Sequence, residues 1–410
     1  EAFDMVVVNL YPFAEGLTAG ESEEEMIELI DIGGPTLLRA ASKNFESILV
    51  VSDPSDYSEI MSRNEYSRDF RKSLAAKVFR SVSDYDQMIA NYLAKDTQSM
   101  RISGEIKQTL RYGENPQQSA NWFKCSGEKG LHDAEILQGK ELSYNNLMDL
   151  DAAVRSLQLF DGHASVAVKH SNPCGVGEGI SVLDAVTKCL AADPVSVFGG
   201  IVAISGTIDL QTAEKLNSIF LECVIAPDIT DEALDLFKKK KNLRLLKWPD
   251  MMKSDFSRSV QRSILGGFLS QSADTVESWG KEWEVIGETP SNEVKSDIVF
   301  TWKVAARLKS NAIAIGRSGM SLGLGMGQVN RVDAVKHAIE RWKHLHPEVS
   351  SPILCSDAFF PFPDSIEIAH KAGVRWIVQP GGSIKDPEVI QRCKDLGVNL
   401  VLTKTRHFLH

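Results

Sequence analysis

The sequence predicts an α/β protein with a three-layer architecture and a mainly parallel sheet. Short apolar runs that are typical of buried strands alternate along the chain with longer stretches of helical periodicity. The length of 410 residues leaves room for roughly two to four domains, each with its own hydrophobic core. No internal period of roughly 20 to 50 residues is visible, which excludes solenoids and propellers.

The opening hundred or so residues predict one α/β region. Residues 5–8 and 47–51 form apolar runs typical of strands, and residues 21–30 predict an acidic helix. A glycine-rich turn at 31–34 leads into a predicted helix at 35–43, because proline is well tolerated at a helix start. Residues 67–93 predict one long helix or a close pair of helices. The polar, aperiodic stretch 94–105 indicates a domain boundary.

The remainder of the chain continues the alternation. The strand-like runs are 165–168, 200–204, 224–226, 312–315, 376–379 and 399–403. A polar, irregular stretch at 271–293 predicts a second boundary near 265, so the predicted domains are residues 1–105, 106–265 and 266–410. The run 231–241 begins with acids and ends in four lysines. A surface helix whose charges complement its dipole is favoured there over an RNA-binding patch.

Charge and composition exclude several classes of function. The 45 basic and 55 acidic residues give a net charge of −10, which opposes binding to nucleic acid, and 43% hydrophobic residues oppose disorder. The uncharged stretch 194–208 is shorter than the roughly 18 apolar residues of a membrane span. Six scattered cysteines without a Cys-x-x-Cys pair predict a reducing compartment. With no targeting signal in the opening residues, which read as the interior of a domain, the prediction is a cytoplasmic protein.

The segment 164–175 (ASVAVKHSNPCG) is the strongest sign of catalysis. Its apolar strand ends in adjacent Lys169 and His170 and then breaks at an Asn-Pro pair and a glycine. Open α/β sheets place ligands at the carboxyl ends of strands, and a neighbouring cation favours the neutral, basic imidazole. The pattern predicts a general base at His170. From the residues alone, a solvated turn with a hydrogen-bonded histidine is an equal alternative.

Three further segments suggest binding sites. Segment 356–365 (SDAFFPFPDS) predicts either a stiff apolar wall for a flat heterocycle or a hydrophobic plug at a helix start, capped by Asp364 or Ser365. Segment 323–331 (GLGMGQVNR) precedes a helical pattern, where backbone N–H groups and Arg331 would suit a carboxylate or phosphate. Segments 110–116 and 405–410 each place an arginine beside an aromatic residue, which suits phosphate binding or simple solvation.

Taken together, these segments resemble one family, the bifunctional purine-biosynthesis enzymes that combine AICAR formyltransferase with IMP cyclohydrolase. AICAR is 5-aminoimidazole-4-carboxamide ribonucleotide. The resemblance spans essentially the whole chain. It is carried by residues 9–13 (NLYPF), 31–34 (DIGG), 111–116 (RYGENP), 169–175 (KHSNPCG), 197–200 (VFGG), 225–227 (IAP), 310–311 (SN), 357–362 (DAFFPF) and Arg406.

The resemblance implies a fold and a set of ligands. It implies the N-terminal part of a methylglyoxal-synthase-like domain followed by two cytidine-deaminase-like three-layer domains, which work without zinc across a homodimer interface. Deaminases bind zinc through H-x-E followed by P-C-x-x-C; here Pro173-Cys174 lacks the second cysteine, and no P-C-x-x-C follows His346-Pro-Glu348. The implied substrates are AICAR and 10-formyltetrahydrofolate, and the resemblance also allows for a bound monovalent cation. No nucleic-acid or membrane partner is implied.

The resemblance also implies roles for individual residues. His170 would be the general base, Lys169 would stabilise the oxyanion or protonate the leaving folate nitrogen, and Asn311 would orient the formyl group. The implied substrate-binding residues are Arg111 and Arg406 for the phosphate, Tyr112 and Glu222 for the nucleotide, Phe198 and Gly199 where the two substrates meet, Phe359, Pro361 and Phe362 for the pterin, and in addition Arg331 and Asp364.

Residues 1–105 resemble only the latter part of the cyclohydrolase domain. The matching positions around that site are Tyr11, Asp31, Gly33, Gly34 and Lys43. The family's opening strands and phosphate-binding loops have no counterpart, so the expectation is a half-sheet with an exposed apolar face and no ring closure. Two alternatives stay open, a cyclohydrolase-only enzyme and a non-catalytic nucleotide-binding scaffold.

Overall fold

A computed structural model describes residues 3–94, 100, 102–125, 129–253 and 259–410. The chain divides into two compact units, Glu1–Gly104 and Glu105–His410. The first unit contains β1 (Met5–Val7), α1 (Phe13–Ala19), α2 (Glu23–Glu28), α3 (Gly33–Lys43), β2 (Leu49–Val51), a 3-10 turn (Pro54–Asp56), α4 (Tyr57–Ser62) and α5 (Arg68–Leu93).

The core of the first unit lies between β2, α3 and α5. The strands β1 and β2 pair in parallel, and Leu38, Val50 and Val82 are completely buried between them and the helices. The long helix or close pair predicted at 67–93 is one helix of 26 residues, which begins where the Ser67 hydroxyl accepts a hydrogen bond from the Phe70 N–H. Met5 and Val7 of β1 are partly exposed apolar side chains.

The second unit is built around a single large sheet. The strands of this unit are β3 (Glu105–Leu110), β4 (Ala120–Lys124), β5 (Glu135–Gln138), β6 (His163–Lys169), β7 (Asn172–Gly179), β8 (Ile201–Ile204), β9 (Cys223–Ala226), β10 (Arg244–Lys247), β11 (Val260–Ile264), β12 (Gly267–Gln271), β13 (Glu284–Ile286), β14 (Ile313–Arg317), β15 (Met320–Gly325), β16 (Ile353–Ser356), β17 (Trp376–Gln379) and β18 (Asn399–Leu402). Strands β3 and β4 form a separate two-stranded antiparallel sheet, as do β11 and β12, and the other twelve form the large sheet.

Helices cover both faces of this sheet. They are α6 (Tyr144–Leu157), α7 (Val182–Ala192), α8 (Pro194–Val197), α9 (Leu210–Asn217), α10 (Asp231–Phe237), α11 (Asn292–Ala305), α12 (Arg331–Leu345), α13 (Asp364–Ala372) and α14 (Asp386–Leu396), with a 3-10 turn at Leu131–Asp133. One core cluster includes buried residues of α6 and α11, and two further clusters lie under α7, α9 and α10 and under α12, α13 and α14.

The α/β class is confirmed, but the predicted mainly parallel sheet is wrong. The strand order is β13-β18-β17-β16-β14-β15-β7-β6-β8-β9-β10-β5. Strands β8, β9 and β10 are parallel, as are β16, β17 and β18, whereas β6–β7 and β14–β15 are antiparallel hairpins at the centre of the sheet. A turn of two residues can join only antiparallel neighbours. The division of this unit near residue 265 stays a prediction.

Glycines explain why two of these central strands do not resemble strands in the sequence. A Cβ at Gly177 of β7 would overlap the backbone carbonyl of Ala185 in α7, and one at Gly325 of β15 would overlap that of Ala334 in α12. Glycine is needed at both positions because a helix lies directly against the strand. The first part of the glycine-rich segment 323–331 is therefore strand rather than a phosphate-binding turn.

The lysine-rich run after α10 also differs from its prediction. The helix ends at Phe237, so the four lysines follow it instead of forming its last turn. Lys238 pairs with Asp235, and the Lys240 ammonium donates to the carbonyls of Asn217 and Ile219. Two of the lysines are thus engaged by the protein itself. No helix in the described part of the chain is long and apolar enough to cross a membrane.

Candidate active site

The turn between β6 and β7 carries the predicted catalytic pair. Strand β6 ends at Lys169 and β7 begins at Asn172, so His170 and Ser171 form the whole connection. Their φ angles are 55° and 60°, and a positive φ at both central residues is characteristic of the type I′ hairpin turn. The chain therefore reverses at His170 and Ser171, whereas the Asn-Pro pair and the glycine at which the sequence predicted a break belong to strand β7. The His170 imidazole is exposed and makes no hydrogen bond to the described residues.

Helix α6 contacts this turn through hydrogen bonds. The Asp149 carboxylate accepts hydrogen bonds from the backbone N–H of His170 (3.2 Å) and of Ser171 (2.6 Å). Asn146, one turn earlier on the same face of α6, donates to the Glu222 carboxylate at 3.0 Å. Sequence reasoning missed both α6 residues. The only available signal was the Ser143-x-x-Asn146 capping pattern, which marks the start of a helix.

Lys169 lies beside the predicted meeting point of the substrates. Its ammonium donates to the carbonyl oxygen of Phe198 at 2.9 Å. Phe198 is about half exposed and packs against Phe220, with ring centroids 5.5 Å apart. Gly199 follows with a φ of 75°, and its N–H donates to the Phe220 carbonyl. The structure therefore brings Lys169, Phe198 and Gly199 together.

Asn311 belongs to a buried hydrogen-bond network. Its amide nitrogen donates to the Gln328 carbonyl at 2.9 Å, and its amide oxygen accepts from the Arg331 guanidinium at 2.7 Å. The same guanidinium donates to the Ser356 hydroxyl and pairs with Asp357, which is completely buried. All of these partners come from the protein, so Arg331 is already engaged where the sequence predicted a free anion-binding group.

Hydrogen bonds connect this network to the β6–β7 turn. The Lys309 N–H donates to the side chain of Asn172, the first residue after the turn, at 3.1 Å. Ser310 and Leu409 exchange hydrogen bonds, and the His407 N–H donates to the Asp357 carbonyl. The structure therefore brings the Lys169–Asn172 turn, the residues before β14 and the C-terminal segment to one edge of the sheet.

Burial affects two groups at this edge. It lowers the pKa of the Lys309 ammonium, with the nearby cation Arg262 as a secondary cause. It raises the pKa of the Cys174 thiol far above its ordinary range. Cys174, although it lies in the KHSNPCG segment, is thus held as a neutral thiol and is a poor nucleophile.

The remaining predicted binding residues surround this edge less directly. Arg111 lies over the Tyr112 ring at 5.6 Å, and Arg406 lies over the Phe408 ring at 4.3 Å, with both guanidinium groups exposed. The loop after Arg111 is tied to the start of α6, because the Asn145 amide donates to the Glu114 carbonyl at 3.3 Å.

The aromatic segment divides into a plug and an exposed part. Phe360 is completely buried in the core, whereas Phe359 and Pro361 are half-buried and Phe362 is 56% exposed. Helix α13 begins at Asp364, an exposed residue, after Pro363 in the cap position. The suggested capping by Asp364 or Ser365 is therefore wrong, since no side chain caps this helix.

The predicted cyclohydrolase residues of the first unit are only partly together. Asp31 accepts a hydrogen bond from the Gly34 N–H at 2.7 Å, and Gly33 and Gly34 begin α3. Lys43 is the last residue of the same helix, about 15 Å from Gly33 at 1.5 Å per residue. Tyr11 is exposed. Within the described residues, no group of histidine, cysteine, aspartate or glutamate side chains could hold a metal ion.

Comparison with known proteins identifies the family. Residues 41–341 match the family model described as the AICARFT/IMPCHase bienzyme. The chain belongs to this family. The resemblance inferred from the motifs is thereby confirmed, and the matched residues include the β6–β7 turn and the pair Asn311 and Arg331.

Curated relatives extend the match over nearly the whole chain. The bifunctional purine biosynthesis protein PurH of Caldicellulosiruptor saccharolyticus is 45% identical over 99% of this chain and 82% of its own length. Its namesakes in Lactococcus lactis subsp. lactis and Microcystis aeruginosa are each 44% identical, over 99% and 100% of this chain and 82% and 81% of their own lengths.

Proposed function

We propose that this chain transfers a formyl group from a folate cosubstrate to the 5-amino group of AICAR, as a step of purine biosynthesis. Membership of the AICARFT/IMPCHase family supports the reaction. The observation that carries the proposal for this site is the two-residue turn that presents Lys169 and His170 beside the segment ending in Asn311. We propose that the formyl donor is 10-formyltetrahydrofolate.

The acceptor amine needs a base. Its lone pair is delocalised into the imidazole carboxamide, so it is a weak nucleophile until a proton is removed. During attack the amine nitrogen bonds to the formyl carbon, the exposed His170 imidazole takes the amine proton, and the bond from the formyl carbon to the folate nitrogen then breaks. General-base help of this kind typically contributes about 10² to 10⁴ in rate.

Lys169 and Asn311 would stabilise the negative charge that develops on the formyl oxygen. The Lys169 ammonium, steadied by the Phe198 carbonyl, would stabilise the tetrahedral oxyanion or return a proton to the departing folate nitrogen. One N–H of the Asn311 side-chain amide donates to the Gln328 carbonyl, and the second N–H would donate to the formyl oxygen. Arg331 keeps that amide in one orientation by donating to its oxygen.

The exposed cations and aromatic residues account for substrate binding. Arg111 and Arg406 would hold the nucleotide phosphate, and Tyr112 and Glu222 would contact the base and ribose. The exposed part of the aromatic segment would line the pterin, with Phe359, Pro361 and Phe362 as a wall and Asp364 at its end. Phe198 and Gly199 would leave room for the two substrates to approach.

The domain assignment is part of the proposal. The sheet repeats one pattern twice: the hairpin β6–β7 is followed outward by β8, β9, β10 and β5, and the hairpin β14–β15 by β16, β17, β18 and β13. The repeat supports two similar domains, 106–265 and 266–410, of cytidine-deaminase-like fold. Residues 1–105 would then be part of a methylglyoxal-synthase-like cyclohydrolase domain, and the active enzyme a homodimer.

One turnover assay tests the function. The purified chain is mixed with AICAR and 10-formyltetrahydrofolate, and formylated AICAR is separated from any IMP by chromatography. Folate-dependent accumulation of formylated AICAR or IMP supports the proposal. Binding of AICAR without folate-dependent turnover would instead indicate a nucleotide-binding scaffold and overturn it.

A further inference from the structure

The catalytic turn adopts a conformation that its residues do not favour. His170 and Ser171 both have positive φ angles, although neither is glycine or asparagine. A left-handed backbone brings the Cβ of such residues too close to the following carbonyl, which lowers the population of this conformation about tenfold for serine and less for histidine. Something outside the turn must therefore hold it in place.

Asp149 is the group that holds it. Its two carboxylate oxygens accept separately from two consecutive N–H groups, one oxygen from His170 at 3.2 Å and the other from Ser171 at 2.6 Å. Hydrogen bonds to an ionised acceptor are stronger than neutral ones. Asp149 contacts the backbone of His170 and not its imidazole, so any influence on catalysis passes through the position of the turn.

The second half of the sheet contains the same arrangement without the catalytic pair. Asp149 is the sixth residue of α6, and Asp297 is the sixth residue of α11, the helix that precedes the other hairpin. The Asp297 carboxylate accepts from the N–H of Ser318 at 2.6 Å, in the turn between β14 and β15. Gly319 there occupies the place that Ser171 has in the catalytic turn. The aspartate therefore belongs to the repeated architecture.

We propose that Asp149 is a positioning residue for formyl transfer, which fixes the His170–Ser171 turn so that the Lys169 ammonium and the His170 imidazole stay at one place relative to Asn311. The inference rests on the proposed function. It distinguishes the two repeats: the aspartate on α11 fixes a turn that contains glycine, whereas Asp149 fixes a strained turn that carries the reacting groups.

Kinetics of three variants test the proposal. Asp149→Ala should lower kcat at least tenfold with KM for AICAR changed less than about threefold, because the phosphate-binding arginines are untouched. Asp149→Asn, which keeps one acceptor oxygen, should lie between wild type and Asp149→Ala. Adding Ser171→Gly to Asp149→Ala should recover several-fold of the lost kcat, because glycine adopts a positive φ without strain.

Two controls separate positioning from general damage. Asp151→Asn alters a neighbouring carboxylate on α6 that pairs with Arg155 on the exposed surface, and it should leave kcat within twofold. Asp297→Ala should lower the thermal unfolding midpoint and leave kcat per folded molecule unchanged. An Asp149→Ala enzyme with near-normal kcat, or a double variant with no recovery, would overturn the proposal.

Amide hydrogen exchange tests independently of turnover whether Asp149 fixes the His170–Ser171 turn. In wild type the amides of His170 and Ser171 should exchange slowly, and Asp149→Ala should remove that protection while the amides of β6 and β7 keep theirs. Unchanged protection would overturn the positioning role. If the wild-type chain failed to transfer formyl groups at all, the proposed function would fall, and the exchange experiment would still show whether Asp149 holds the turn.

Discussion

The Arg331 guanidinium lies 2.7 Å from the amide oxygen of Asn311 and at the same time pairs with the buried carboxylate of Asp357. One planar cation thus connects a completely buried acid to the amide that we propose for the formyl group. The fork of guanidinium donors makes this double contact feasible. The relationship means that the orientation of Asn311 depends on a residue that need not touch substrate.

Arg331→Lys is expected to lower kcat about tenfold, because a lysine ammonium is a single point of charge and cannot serve Asp357 and Asn311 together. Arg331→Met should also destabilise the fold by about 3 to 5 kcal/mol, since it leaves Asp357 buried without its cation. Steady-state kinetics and chemical unfolding measure both effects. Arg392→Lys, in an exposed pair with Glu367, is the matched control and should change neither. Normal kcat in Arg331→Lys would show that Asn311 is oriented by other contacts.

His170→Asn is expected to reduce kcat by about 10² or more while AICAR still binds with similar affinity. Asparagine tolerates a positive φ, so this variant removes the base and preserves the turn. Turnover and calorimetric titration with AICAR measure the two effects. Near-normal kcat would remove His170 from the mechanism.

The buried thiols predict a loss of stability at alkaline pH. Burial raises the pKa of Cys189, Cys223 and Cys393 from 9.0 to about 12. The folded chain thus holds these protons more tightly than the unfolded chain, so their contribution is complete below pH 9 and is lost as the pH rises from 9 towards 12. Urea midpoints at about pH 8 and about pH 10.5 should show the fall, and Cys189→Ala should reduce it.

Cys125 is exposed and should be alkylated first at the lower pH. Equal alkylation rates for Cys125 and Cys189 would contradict the prediction.

Substitutions of Asp31 and Lys43 are expected to differ in their effect on stability, although both residues match family positions. Asp31→Ala removes the acceptor for the Gly34 N–H at the start of α3 and should cost about 1 kcal/mol. Lys43→Ala, at the exposed far end of the helix, should stay within about 0.5 kcal/mol of wild type. Hydrogen exchange along α3 measures both changes. A larger effect of Lys43 would mean that its side chain has a structural partner.

The proposed homodimer predicts that sedimentation yields twice the mass of one chain. The dissociated chain should lose formyl transfer, because the resemblance implies a site shared between subunits. Dilution series followed by both sedimentation and turnover measure this directly. A stable monomer with full activity would contradict it.

The strands were predictable from the sequence where a short apolar run is sufficient to identify one. The apolar runs at 165–168, 224–226 and 376–379 are all strands, because such runs are stable only when buried on both faces. Strand β7 was missed since its sequence, NPCGVGEG, contains the residues that usually end strands. Its glycines are required by contact with α7, which is a tertiary cause and leaves no local trace.

The site was predictable to the extent that it lies in conspicuous segments. Lys169 and His170 were predicted because the apolar run ends abruptly at these two residues, and their catalytic role stays a prediction. Asp149 was missed because it lies 21 residues before His170 in the turn that it contacts, inside an ordinary amphipathic helix. Arg331 was predicted to bind an anion, and the anion that it contacts is Asp357, 26 residues away in the same chain. Sequence spacing cannot report such pairings.

The meeting of the two hairpins has a consequence for how the second unit folds. Every strand on one side of the β7–β15 contact comes from residues before 250, and every strand on the other side from residues after 280. At the contact itself, Met320 pairs with Gly177. The Val176 N–H donates to the Ser321 hydroxyl there, and these two residues are 145 positions apart in the sequence. Each half takes its strands from its own contiguous stretch, so we expect the long-range pairing of β7 with β15 to be slower than the pairing of strands within either half. Since Lys309 and Asn311 come from one half and Lys169 and His170 from the other, the proposed catalytic residues would come together only when that pairing forms.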